Sequence, residues 1–145
     1  VEQFAKAPAD TSAERLFNFI KSIEEGSNRI STWSLSIIGG SLLALLSNEY
    51  LHPSAAKLKM IYLLFVLGWL LIGISFYNGK NITSRTIAAE LHKNDKALLA
   101  TIFTACNTYY SRQLRFFNFA LLVFGIWLLL FLLWWVFGDS IINLI

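Results

Sequence analysis

Three stretches of this sequence contain no Asp, Glu, Lys or Arg: Ile30 to Asn48, Met60 to Gly79, and Phe116 to Gly138. A helix needs about 20 mainly apolar residues to cross a bilayer core, and each stretch comes close to that length. Such a block can live in hydrocarbon because a helix satisfies its own backbone donors and acceptors. Apart from Asn118, the third is apolar on every side and ends in Trp134, Trp135, Val136 and Phe137. The first is the most polar. The expectation is an all-α integral membrane protein, a single domain of residues 1–145. Its three transmembrane helices are expected at 30–48, 60–79 and 116–138.

Composition agrees. Hydrophobic residues make up 56% of the chain and charged ones 14%, against about a quarter charged in a soluble domain. Two prolines, Pro8 and Pro53, leave room for long helices. No secretory leader is visible, and a chain that opens on Val1 rather than Met is expected to be a trimmed or processed segment.

The net charge of +3 does not point to nucleic acid, because the basic residues flank the apolar blocks. Lys6, Arg15, Lys21 and Arg29 precede the first span; Lys57 and Lys59 lie between the first and second. Lys80, Arg85, Lys93, Lys96, Arg112 and Arg115 lie between the second and third. Cytoplasmic segments carry the excess of Lys and Arg. The expected topology is therefore multi-pass in an inner or plasma membrane, with the N-terminus cytoplasmic and the C-terminus outside. Tyr50, Trp134 and Trp135 would then be interfacial aromatics on the outer side.

The cytoplasmic parts read as helices. Residues 11–25 form an amphipathic one, with a Thr11–Glu14 capping box, an apolar face of Leu16, Phe19, Ile20 and Ile23, and Gly26 as its stop. From Lys80 to Phe124 there is neither glycine nor proline. A cytoplasmic helix over 84–115 is expected to continue without a break into the third span, roughly 80 Å in all. Its candidate oligomerisation seam is Ile87, Leu91, Asn94, Leu98, Ile102, Ala105 and Tyr109, with Asn94 fixing register. A second apolar line, Leu99, Phe103, Cys106 and Tyr110, widens the stripe beyond what one partner helix covers. Packing on the N-terminal helix and on other copies is expected.

On a helical wheel the first span separates by size. Leu35, Ile38, Leu42, Leu45 and Leu46 make an aliphatic arc. Thr32, Ser36, Gly40 and Ala44 form a ridge of small residues, with Gly39 and Ser47 beside it and Ser34, Ser41 and Asn48 on a further polar edge. Small residues let helices approach closely in lipid; alternatively, the hydroxyls line a water-filled path through an oligomer. Both readings stand at this point.

Catalytic chemistry is not visible. No span contains an Asp, Glu, Lys, Arg or His, which argues against proton pumping, ion-coupled transport and voltage sensing. The lone Cys106 falls short of a disulfide or a zinc set. His52 and His92 fall on opposite sides of the bilayer, and no metal, nucleotide or nucleophile motif occurs. Asn81-Ile82-Thr83 matches a glycosylation sequon on the cytoplasmic side and is better explained by capping. No catalytic, cofactor-binding or metal-binding residue is expected.

The order of elements, a cytoplasmic helix, two close spans and then a long cytoplasmic helix, resembles the bacterial effector modules called SLATT. The resemblance lies in the polar entry Ser27-Asn28-Arg29-Ile30-Ser31-Thr32 and in Arg85-Thr86-Ile87-Ala88-Ala89-Glu90-Leu91-His92, which follows the second span. It covers about two thirds of the chain, and the third span departs from the family's two-span pattern. It implies an oligomer that perturbs or perforates the inner membrane when a partner signals. The leading expectation is a small homo-oligomeric membrane protein in contact with lipid, pore-forming or membrane-perturbing and controlled through its cytoplasmic helices. The alternative is an accessory or scaffold subunit bound to another membrane or cytoplasmic protein.

Overall fold

The computed structural model describes residues 11–46 and 63–142, all but one short turn of which is helical. Helix α1 runs Thr11–Leu46, α2 Leu63–Leu91 and α3 Lys96–Ile142. Contacts between neighbours set their directions. Phe19 meets Phe103 and Trp33 meets Phe117, so α1 and α3 run parallel. Lys21 pairs with Glu90 and Trp69 bonds Ser41, so α2 runs antiparallel to both. The result is an up-down-up bundle. Two segments, Leu63–Leu91 and Lys96–Leu133, are long and apolar enough to cross a membrane; α1 is not among them.

Two expectations are corrected. Gly26 does not stop the first helix, which passes through it with ordinary helical geometry. A glycine inside a helix costs about 1 kcal/mol relative to alanine. Here the missing side chain lets α3 come close, since a Cβ on Gly26 would stand 2.7 Å from the Tyr110 hydroxyl oxygen. The amphipathic segment 11–25 and the first expected span are therefore one continuous helix. Phe19 lies at the edge of its apolar face, 58% exposed.

The second correction is the long helix over 84–115. It is interrupted: α2 ends at Leu91, His92–Asp95 form a turn, and α3 starts afresh at Lys96. The Asp95 carboxylate accepts a bond from the Leu98 backbone N–H at 3.0 Å, and the Asp95 carbonyl accepts from Leu99 at 2.9 Å. That is the cap a helix start requires. The physical reason for the break is burial. A straight helix leaves the apolar residues on both sides of the turn in water. Folded back, Ile82 and Ala89 join Leu99, Ile102 and Cys106 in one core with Ala13 and Ile20. The part of α2 beyond Gly79 is then about 18 Å long.

Buried residues follow alternating three- and four-residue steps in α2 and share a step of seven in α1 and α3. In α2 these are Phe65, Gly68, Ile72, Ser75, Gly79, Ile82, Thr86 and Ala89. In α1 the steps of seven are Ala13, Ile20, Ser27, Ser34 and Ser41, and in α3 Leu99, Cys106, Gln113, Ala120 and Trp127. A seven-residue repeat keeps one seam turned toward the neighbours along the whole bundle. An aromatic cluster of Phe65, Trp127, Phe124 and Phe131 fills the end opposite the Ala13–Ile20–Ile82–Leu99 core, with the Phe65 and Trp127 rings 4.4 Å apart.

Candidate functional site

Two features stand out on this frame: a polar layer inside the bundle and an uncovered face on α1. The polar layer lies where Ser27, Gly79 and Gln113 meet. A Cβ on Gly79 would stand 2.8 Å from the Gln113 Nε2 and 3.2 Å from the Ser27 Oγ, so the side chains of α1 and α3 close directly on the α2 backbone here. Gln113 is fully buried; its Nε2 donates to the Ser27 carbonyl at 3.3 Å. Ser75 Oγ donates to the Gln113 carbonyl at 3.1 Å, and Asn78 Nδ2 to the Ile74 carbonyl at 2.8 Å. Ser27 Oγ, Gln113 Oε1 and, one heptad along, Ser34 Oγ are buried without a hydrogen-bond partner. An unmatched buried polar atom costs about 1–3 kcal/mol. The layer therefore weakens the bundle relative to an apolar one, while Gln113 can make its bond in only one register.

The uncovered face is the ridge of small residues. Thr32, Ser36 and Gly40 are exposed, and nothing lies within 4 Å of a Cβ built on Gly39 or Gly40. Ala44 is half-buried against the aromatic cluster. Ser47 lies outside the described residues. What α1 turns inward is the other small edge, Ser27, Ser34 and Ser41, with Ser41 accepting a bond from the Trp69 indole at 2.8 Å. Thr32, Ser36 and Gly40 are thus not used for close packing within the chain. Its hydroxyls are tied to their own backbone: Thr32 Oγ1 donates to the Asn28 carbonyl at 3.0 Å and Ser36 Oγ to the Thr32 carbonyl at 3.2 Å. With its donors satisfied, such a face tolerates a dry neighbour.

The seven residues expected to form one oligomerisation seam are not brought together. Ile87 and Leu91 lie on the outside of α2, 57% and 77% exposed. Asn94 is exposed in the turn, where it fixes no helix register. Ile102 is buried, and Leu98 and Tyr109 pack half-buried on the same core as Ala13 and Ile20. Ala105 is half-buried on α3. The turn at 92–95 splits the seam because its second half is consumed by the chain's own core.

Around that core, Arg85 stands 5.2 Å over the Tyr109 ring, and Lys21 and Lys93 lie over Phe17 at 5.2 and 4.8 Å. Burial pushes the Cys106 thiol above its ordinary pKa, against the opposing charge of Arg85 and with a smaller push from Glu24. The hairpin tip carries an open concavity lined by residues 90–97. No group of three or more His, Cys, Asp or Glu among the described residues is placed to hold a metal.

Gln113 and Ser27 were not anticipated from sequence. The signal that points to them is the repeat of seven in α1, in which Ser27, Ser34 and Ser41 continue the line of Ala13 and Ile20. No protein-family model, curated protein or solved structure matches this chain. The resemblance in layout to SLATT modules therefore rests on its own residues.

Proposed function

We propose that the chain is one subunit of a homo-oligomer that crosses the membrane three times, with α1 as the helix through which copies meet. The single observation carrying this reading is the ridge Thr32–Ser36–Gly40, turned away from the chain's own bundle and open beyond both glycines. Association in lipid depends on close packing and small residues, and α1 offers both. Its modest hydropathy supports the same conclusion, because a helix of that kind is better accommodated against protein than against acyl chains. The Lys and Arg distribution supports a cytoplasmic α2–α3 turn and N-terminus. In this reading the cytoplasmic core clamps the three helices and sets whether the assembled ridges close tightly or open along their hydroxyls. Opening gives a pore or a local membrane defect, in keeping with the SLATT-like layout.

A second reading, an accessory subunit, is favoured by Ile87 and Leu91, two exposed aliphatic side chains beyond the span. Purification in detergent separates the two. A homo-oligomer has a mass several times that of the 16.5 kDa chain, and Gly40→Leu lowers it. A strict monomer that copurifies with a different protein supports the accessory role and overturns the homo-oligomer. Dye release from liposomes containing the purified protein tests the pore.

A further inference from the structure

Arg29, Lys80, Arg112 and Arg115 stand at one level of the bundle, on all three helices. The Ser27–Gly79–Gln113 contact fixes that level: Lys80 follows Gly79, Arg112 precedes Gln113, and Arg115 lies two residues beyond it. Arg29 lies between Ser27 and Ser31, both of which approach Gly79. All four are exposed. The ion pairs among the described residues both fall on Glu90, with Lys21 and Lys93, and the ring contacts of cations use Lys21, Arg85 and Lys93. None of the four takes part. The one carboxylate within a helical turn of any of them along its own helix is Glu25, four residues before Arg29, and no ion pair joins the two. On the far side of this level the helices carry no Asp, Glu, Lys, Arg or His until Asp139 among the described residues.

We propose that this collar binds the phosphate headgroups of acidic phospholipids in the leaflet at that level. The inference rests on the membrane-spanning reading and adds a ligand class to it. Charge complementarity argues for the occupant: four cations lacking ion-pair partners, spread around the bundle where the uncharged stretches begin, face whatever anions lie in the surrounding headgroup layer. Lys and Arg near an anionic bilayer surface each gain from its negative potential. Arg also chelates phosphate through two parallel N–H bonds. The polar layer behind the collar holds the three helices in register and so holds the cations at one depth.

The test uses the full chain in neutral detergent, with phosphatidylglycerol or phosphatidylcholine of identical acyl chains. Retained lipid is read by native mass spectrometry and stabilisation by the unfolding temperature. The wild type is expected to retain the acidic lipid about tenfold over the zwitterionic one, taking several cations together. The variant R29Q/K80Q/R112Q/R115Q is expected to bring the ratio near one, while R15Q/K96Q, exposed but away from the collar, keeps it. Should the fourfold variant fail to fold, Lys80→Gln and Arg112→Gln singly are expected to lower the ratio, and no drop in either overturns the proposal. Equal retention by the wild type, an unchanged ratio in the fourfold variant, or equal stabilisation by inorganic phosphate also overturns it. Carbonate extraction of native membranes distinguishes the two failures. Release of the chain defeats the membrane reading and the collar together; resistance without lipid selectivity defeats the collar alone.

Discussion

Cys106 has no exposed surface, and its burial raises the pKa of the thiol. The folded chain therefore holds this proton at a pH where the unfolded chain has begun to lose it. That term stabilises the fold fully below the unfolded thiol's ordinary pKa of about 8.5 and fades as pH rises through the higher folded value. The stability margin of the wild type over Cys106→Ala is expected to shrink above about pH 9, measured by thermal unfolding across pH. Alkylation at pH 8 should be slow in the native protein and fast after denaturation, because the thiolate is the reacting form. Glycines separate in the same physical way. Gly79→Ala drives a methyl to 2.8 Å from a buried, hydrogen-bonded amide. It should destabilise the bundle by about 1–3 kcal/mol, the usual range for overpacking. Gly39→Ala meets nothing and should leave the monomer's stability nearly unchanged. Ser34→Ala removes a buried hydroxyl without a partner and is expected to raise the unfolding temperature. A drop comparable to that of Gly79→Ala would show that the Ser34 hydroxyl contributes to the bundle.

At the scale of elements, the sequence makes some features plain and hides others for a reason that can be named. The uncharged blocks are legible because transfer into hydrocarbon excludes charge, and two of the three coincide with helices that are long and apolar enough to span. The α2–α3 turn was hidden because the usual punctuation, glycine or proline, is absent from residues 80–124. What ends α2 instead is a polar run, His92 to Asp95, together with the gain from burying Ile82 and Ala89 against Leu99 and Cys106. Asp95 is the residue that makes this turn work. Asp95→Ala is expected to cost about 1 kcal/mol through the lost cap, and Asp95→Asn, which keeps an acceptor, much less; chemical denaturation of both variants measures it. The inner seam of α1 was hidden for a different reason. Three of its five seven-step positions are serines, and a search for apolar periodicity passes over them. Where helices approach closely, small size counts for more than hydrophobicity, and Ser27, Ser34 and Ser41 face inward while Leu35, Leu42, Leu43 and Leu46 are exposed. The ridge Thr32–Ser36–Gly40 was readable as a set, but its direction was not, since two small edges on one helix compete for the same neighbours.

At the scale of the whole molecule, the chain uses one small edge of α1 for itself and leaves the other free, and it leaves Ile87 and Leu91 free on a different helix. In the proposed three-span reading these surfaces belong to different environments. The ridge lies in the stretch without charges, whereas Ile87 and Leu91 lie beyond the collar, on the side of the hairpin turn. Ile87→Ser and Leu91→Ser together remove apolar surface facing water, and a monomer would become more soluble with its fold intact. If copies meet only through α1, this double variant keeps the wild-type mass in detergent, while Gly40→Leu lowers it and leaves the unfolding temperature of the dissociated chain within a few degrees of the parent. If the α2 pair also holds copies together, both variants lower the mass and only their combination reaches the monomer. Sedimentation of the three variants and the parent decides between these outcomes. The expected result is the first, because a helix of low hydropathy in hydrocarbon has more to gain from a protein neighbour than two aliphatic side chains at the edge of a water-facing helix, worth about 1.5–3 kcal/mol each when fully buried.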